Sequence, residues 1–135
     1  MKNLNVTKPD SINQAFEIAK SSEASQYLAG GQTLIPTLKF ELNDSDNFID
    51  LSNMKELNGV CENSNNGVVI GAMTSHANVA ASTIVLDKIP SLADLASNIG
   101  DRMVRNMGTI GGSLANNDPS ADYPASILAL DSKIK

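Results

Sequence analysis

The chain has 135 residues, of which 41% are hydrophobic and 19% are charged, and its net charge is −5. This composition is typical of a globular protein with one ordinary domain or two small subdomains. The chain has three Phe, two Tyr and no Trp, which argues against a protein that stacks nucleic-acid bases, and its negative charge disfavours phosphate backbones. The single cysteine, Cys61, excludes an internal disulfide and argues against a thiolate metal site or an iron–sulfur site on this chain. With no signal-peptide core and no transmembrane-length segment, we expect a cytoplasmic protein without membrane insertion or nucleic-acid partners.

The first fifty residues alternate between helical and extended patterns. Ser11 stands three residues before Gln14 at capping-box spacing, and apolar residues then recur at helical intervals. An apolar run at 27–29 stops at two glycines, residues 34–42 predict a short helix, and residues 47–51 predict a strand. This order indicates a small βαβ-like layer with parallel strand pairing.

The pattern changes after residue 55, where we place a boundary between subdomains 1–55 and 56–135. Residues 58–70 predict a hairpin with an Asn-Gly turn. Helices are expected from Thr74 or Ser75 to Ser82, from Pro90 to Gly100, and from Asp122 to Leu130. Residues 101–120, rich in glycine and asparagine, are predicted to be irregular. Because the apolar run at the C-terminus lacks a surface to pack against, we expect the second subdomain to be incomplete there.

Two glycine-rich clusters carry the functional signal, at Ala29-Gly30-Gly31-Gln32-Thr33-Leu34 and at Gly108-Thr109-Ile110-Gly111-Gly112-Ser113. Paired glycines can adopt left-handed conformations and turn their N–H groups towards a phosphate. Two such loops could hold the two phosphates of one dinucleotide without a basic residue. Each cluster alone is also compatible with an ordinary turn, and neither matches the Rossmann or P-loop fingerprint.

The order of motifs resembles the flavoprotein (medium) subunits of the molybdenum hydroxylase family, which includes carbon monoxide dehydrogenase and xanthine dehydrogenase. The resemblance rests on the first glycine cluster, on Phe48-Ile49-Asp50-Leu51, on Ile70-Gly71-Ala72-Met73-Thr74, and on a long block from Ile99 through Ala115 to Pro124. It covers nearly the whole chain but only the N-terminal part of a family member, since such proteins are about twice as long. The missing part includes residues that contact the isoalloxazine ring, so the resemblance implies that half of the flavin pocket lies outside this chain.

The resemblance implies an α+β fold of the vanillyl-alcohol-oxidase or PCMH type. In this fold, FAD lies between a small βαβ-like subdomain and a second one that has a mixed or antiparallel sheet with helices. The first cluster would wrap the diphosphate, the second would hold its opposite side, and Asp122 would bind ribityl or ribose hydroxyls. No catalytic residue or metal ligand is implied on this chain. The implied FAD contacts are Leu28, Ala29, Gly30, Gly31, Gln32, Thr33, Leu34, Ala72, Ile99, Val104, Thr109, Ile110, Gly111, Gly112, Ser113, Ala115 and Asp122.

The implied function is electron transfer within a multi-subunit oxidoreductase. A molybdopterin large subunit would hydroxylate the substrate, a [2Fe–2S] small subunit would pass the electrons to FAD, and FAD would reduce NAD+ or a quinone. The resemblance is compatible with a dimer of such heterotrimers. Two alternatives are a noncatalytic truncated remnant that acts as a subunit-interaction module, and a flavin oxidase of the same fold that works alone.

Four further residues attract attention without joining this site. His76 is expected at the surface near a helix N-terminus, because a single histidine without neighbouring ligands is a poor metal site. Arg105, like Arg102, flanks the second glycine cluster; neutralising FAD phosphates and ordinary solvated charge are both open, and a structural or partner-docking role is favoured. Asp118, beside a proline, is expected to cap a helix.

Overall fold

A three-stranded parallel sheet forms the first part of the fold. The computed structural model describes residues 4–22, 24–43 and 45–135. The sheet has the order β1 (Asn5–Thr7), β3 (Asn47–Asp50), β2 (Ser25–Leu28), and both outer strands run parallel to β3. Helix α1 (Ile12–Ser21) connects β1 to β2, and α2 (Leu34–Lys39) connects β2 to β3. The predicted parallel βαβ-like layer is therefore confirmed.

The first helix begins where its capping residues predict. The Ser11 hydroxyl accepts a hydrogen bond from the Gln14 N–H at 3.2 Å, and the Gln14 side chain accepts one from the Asp10 N–H at 2.8 Å. The helix buries Ala15 against a small core cluster that includes Ile49. Ile12 and Phe16 of the predicted apolar stripe are exposed, so α1 is held on the sheet through Ala15 and the partly buried Ile18 and Ala19.

An antiparallel hairpin opens the second part of the fold. After a 3-10 turn at Lys55–Leu57, strands β4 (Val60–Glu62) and β5 (Val68–Ile70) pair in the predicted way. The Asn63 side chain organises the connecting loop, because its oxygen accepts hydrogen bonds from two loop amides, each at 2.9 Å. Asn66 has a φ of 61°, in the left-handed region that the Asn-Gly turn signal indicates.

The remaining residues form short helices around a second core. The helices are α3 (His76–Ala81), α4 (Thr83–Lys88), α5 (Pro90–Asn98), α6 (Arg102–Met107), α7 (Ile110–Asn116) and α8 (Asp122–Ala129). The buried residues of this second core lie between positions 79 and 123, whereas those of the cluster around Ala15 and Ile49 lie between positions 15 and 54. This division favours a boundary near residue 55, which remains a prediction. Among the described residues, no helix has both the length and the apolar character needed to cross a membrane.

The prediction of an irregular segment at 101–120 is wrong. Most of it is helical, in α6 and α7, because both helices have effective N-caps. The Asp101 carboxylate accepts a hydrogen bond from the Val104 N–H at 2.9 Å, and the Thr109 hydroxyl accepts one from the Gly112 N–H at 3.1 Å. The longest non-helical stretch is 117–121, which connects α7 to α8.

Candidate functional site

A cleft of about 690 Å³ lies between the two parts of the fold. This volume is within the range of about 300–1,000 Å³ that is typical of small-molecule and cofactor sites. Its walls include residues 29–34, called here the first glycine segment, and residues from 108–113, called the second glycine segment. All the predicted contact residues line the cleft except Leu28, Ile110 and Asp122.

The first glycine segment follows the end of β2, where the chain turns away from the sheet. Gly31 has a φ of +68°, so the predicted left-handed conformation is found there. The amides of Gly30, Gly31, Gln32 and Thr33 donate to no acceptor among the described residues. Successive amides of this kind in a concave wall are suited to binding an anion.

The second glycine segment has a different structure from the one predicted. Gly111 and Gly112 lie in the first turn of α7, and neither has a positive φ. The Ile110 and Gly111 amides donate to the carbonyls of Thr74 and Ala72 at 3.1 and 2.9 Å, and the next two amides bond within the helix cap. The expectation of free amides is therefore wrong for residues 110–113, whereas the Thr109 amide donates to no acceptor among the described residues. Thr109 and Ser113 still line the cleft.

Close backbone approach explains the glycines of the second segment. A Cβ at Gly111 would lie 2.6 Å from both the Cβ and the carbonyl oxygen of Ala72. A Cβ at Gly30 would overlap the carbonyl oxygen of Met107 and lie 2.8 Å from the Gly108 Cα. Glycine at these positions therefore allows direct contact between the two segments and between the second segment and Ala72, two residues after β5.

His76 is not at the surface as expected. Its side chain is only 5% exposed and lines the cleft. Burial lowers the pKa of His76, while the negative charge of Asp122 acts in the opposite direction. Its position depends on a contact with Tyr123, 47 residues away in sequence, so no local signal could have revealed it.

Asp118 also lies on the cleft wall and caps no helix. Its carboxylate accepts hydrogen bonds from the Ser120 hydroxyl and amide at 2.7 and 2.9 Å, which form a turn before α8 and lower the pKa of Asp118. Asp118 is the only carboxylate, and no Lys or Arg is present, among the described residues of the wall. An anion in this cleft would therefore be bound by amides and hydroxyls, and the carboxylate would suit ligand hydroxyls.

Three predicted contacts lie outside the cleft wall. Ile110 is 5% exposed and packs in the second core, and Leu28 belongs to β2. Asp122 is the exposed first residue of α8 and follows Ala121, which does line the cleft. Arg105 has a structural role, since its guanidinium donates to the carbonyls of Ile99 and Gly100 at 3.1 and 3.0 Å.

The chemistry of the wall fits an FAD diphosphate. Four amides without acceptors offer donors to the phosphate oxygens, and Ser113 adds a hydroxyl on the other side. The glycines keep both segments close enough to contact one narrow ligand group. Ile99 and Val104 supply apolar contacts, as expected for residues beside a cofactor.

A family model described as the FAD binding domain in molybdopterin dehydrogenase matches residues 2–135. The chain belongs to this family. Its relatives include the glyceraldehyde dehydrogenase medium chain of Sulfolobus acidocaldarius, which is 39% identical over 127 residues and aligns with 94% of this chain. The family predicted from the motif blocks, and FAD as its cofactor, are thus confirmed.

Solved structures show the same fold. Carbon monoxide dehydrogenase from Hydrogenophaga pseudoflava superimposes with a TM-score of 0.90 at 37% identity, covering 95% of this chain and 45% of that one. Quinoline 2-oxidoreductase from Pseudomonas putida 86 gives a TM-score of 0.86 at 31% identity, covering 92% and 44%. The chain therefore has the predicted α+β, PCMH-type FAD-binding fold. It spans 45% of the length of the Sulfolobus relative.

Proposed function

We propose that this chain is the FAD-binding part of the medium subunit of a molybdenum hydroxylase, with the FAD diphosphate held between its two glycine segments. The observation that carries the proposal is the row of four amides from Gly30 to Thr33 that find no acceptor in the described protein. The four residues that carry them line the cleft, in a chain that matches an FAD-binding family. A diphosphate would satisfy these donors, which otherwise depend on water.

The two segments would have different roles. The first would donate hydrogen bonds from its backbone, while the second, fixed by its own hydrogen bonds, would form a rigid wall with the Thr109 and Ser113 hydroxyls. Residues 1–55 and 56–135 would thus be two subdomains that bind the cofactor from opposite sides. Asp122 would reach the ribityl or ribose hydroxyls through a small rearrangement of the turn before α8.

In the complete enzyme, this chain would provide the position and surroundings of the cofactor and no acid–base residue. When bound, FAD would accept electrons one or two at a time and pass them on. We propose that a molybdopterin large subunit passes electrons to a [2Fe–2S] small subunit, which passes them to FAD. NAD+ or a quinone would then accept the electrons from FAD. Hydrogen-bonded carbonyls such as that of Ala72 would give the site fixed dipoles.

The test is the visible spectrum of the full natural polypeptide purified with its co-expressed partners, followed by calorimetric titration with FAD. A yellow protein with one FAD per chain, co-purifying with iron–sulfur and molybdopterin subunits, would support the proposal. A colourless protein that fails to bind FAD yet captures an iron–sulfur subunit would refute it in favour of an interaction module. A yellow protein that reacts with its substrate without partners would indicate a flavin oxidase that works alone.

A further inference from the structure

A buried histidine–tyrosine pair lies behind the second glycine segment. His76 is 5% exposed, and Tyr123 is completely buried. The His76 Nδ1 atom is 3.3 Å from the Tyr123 hydroxyl, and the two ring centroids are 5.3 Å apart. The pair connects the start of α3 to the start of α8.

The hydrogen bond between the two side chains determines which imidazole nitrogen carries the proton. The Tyr123 hydroxyl has the His76 Nδ1 as its only hydrogen-bond partner among the described residues. A buried hydroxyl without an acceptor is unfavourable, so the hydroxyl donates to Nδ1. Burial raises the pKa of Tyr123, with a smaller contribution from Asp122, and it lowers the pKa of His76. The tyrosine therefore keeps its proton, and the neutral imidazole has its proton on Nε2.

The Nε2 atom lies where the two glycine segments meet. A Cβ at Gly108 would be 2.6 Å from Nε2, so only glycine admits the imidazole at this distance. Gly108 in turn lies against Gly30, at the start of the row of free amides. Nε2 has no hydrogen-bond partner among the described residues. No side-chain nitrogen or oxygen among these residues is both inaccessible to solvent and without a partner, so Nε2 is accessible to solvent. Because His76 lines the cleft, we infer that Nε2 is accessible from the cleft.

From this geometry we infer that the His76 Nε2–H donates a hydrogen bond to the anionic diphosphate of the bound dinucleotide, and that Tyr123 is a positioning residue that fixes the required tautomer. The inference rests on the proposed FAD-binding function. It adds one side-chain donor, at the junction of the segments, to the backbone donors of residues 30–33. It also gives a ligand-binding reason for burying a histidine beside glycine.

The test compares FAD affinity among variants of the full natural polypeptide. H76L removes the donor while keeping an apolar side chain, and we expect it to weaken FAD binding by at least about tenfold, as for loss of a hydrogen bond to a charged group. H76Q can place an amide N–H near the position of Nε2 and should recover most of the affinity. Y123F, which leaves the tautomer unfixed, should give an intermediate loss of FAD affinity, and its affinity for magnesium-free inorganic diphosphate should fall in parallel.

NMR of the imidazole keeps the inference testable even if a variant folds poorly. His76 is the only histidine among the 135 residues, so its ring nitrogens can be assigned by comparing spectra with and without H76Q. We expect the Nε2–H tautomer in the cofactor-free protein and a shift of the Nε2–H signals when FAD saturates the site. An Nδ1–H tautomer, or signals that FAD leaves unchanged, would overturn the inference.

The outcomes separate the two claims. If the unmodified protein binds FAD and H76L binds it equally well, the role of His76 is refuted while the proposed function stands. If the unmodified protein binds no FAD under the same conditions, the proposed function is refuted, and the role of His76 falls with it.

Discussion

Replacing Gly30 with alanine should force the two glycine segments apart. Gly30 does not have a positive φ, so alanine adds no backbone strain there, but its Cβ would overlap the Met107 carbonyl oxygen and lie 2.8 Å from the Gly108 Cα. Both obstacles are backbone atoms, which cannot rotate away, so a displacement on the order of 1 Å is required. The substitution therefore tests the contact between the segments.

The expected cost follows from two opposing effects. Overpacking of this kind destabilises a protein by about 1–3 kcal/mol. Replacing glycine with alanine also reduces the conformational entropy of the unfolded chain, which stabilises the folded protein by about 0.4–1 kcal/mol. We expect the free energy of unfolding to fall by roughly 1–2 kcal/mol. If the displacement breaks one hydrogen bond to the diphosphate, FAD affinity should fall by at least about tenfold.

Gly59→Ala provides a matched control. Gly59 has a φ of +113°, and a Cβ there would meet nothing within 4 Å, so the change costs backbone strain of about 1–2 kcal/mol without moving the cleft. Urea unfolding should thus show similar losses for both variants, whereas calorimetric FAD titration should show a loss only for Gly30→Ala. Wild-type affinity in a folded Gly30→Ala protein would refute the argument that the segments bind FAD through their close contact.

Three further predictions address charge, pH and helix capping. Asp122→Ala should weaken FAD binding by about 1.5–3 kcal/mol and Asp122→Asn by less; because Asp122 makes no capping bond, a loss of stability with unchanged affinity would contradict its cofactor role. Burial lowers the pKa of His76 below its ordinary 6.5, so the unfolded chain takes up the proton first, and cofactor-free stability should be complete above about pH 6.5 and decline as the pH falls towards the folded-state pKa. Urea unfolding of wild type and H76Q should show this decline only in wild type, and equal pH slopes would contradict it. Asp101→Ala should lower stability by about 1 kcal/mol through loss of the 2.9 Å cap on Val104, and Asp101→Asn should retain it; equal melting of the two variants would show that the cap contributes nothing.

The family and the order of elements could be predicted because their signals are contiguous in sequence. The Ser11 cap, the glycines after β2 and the Asn-Gly hairpin each define a local conformation that the structure contains. The conformation of Gly111 could not be predicted in this way, because glycine is a poor helix former and indicates a loop. Its presence in α7 depends on the contact with Ala72, which only the tertiary structure reveals.

The candidate site was predicted in outline for the same reason. Motif resemblance identified most of the cleft wall, but it could not show which amides are free. The amide of Gly111 has an acceptor because the chain after β5 passes beside it, whereas that of Gly31 has none. The burial of His76 likewise depends on a contact with Tyr123, which lies 47 residues later in the sequence.

The strand order has a consequence for how the protein folds during synthesis. Neither β1 nor β2 pairs with the other; Val6 and Gln26 both face Phe48 in the central strand. No hydrogen bond of this sheet can therefore form until the ribosome has released residues 47–50. Until then the two outer strands are separate unpaired segments, while α1 can form early through its local cap. Arrival of β3 closes both long loops together, so assembly of the sheet should be a single late event that depends on one four-residue strand.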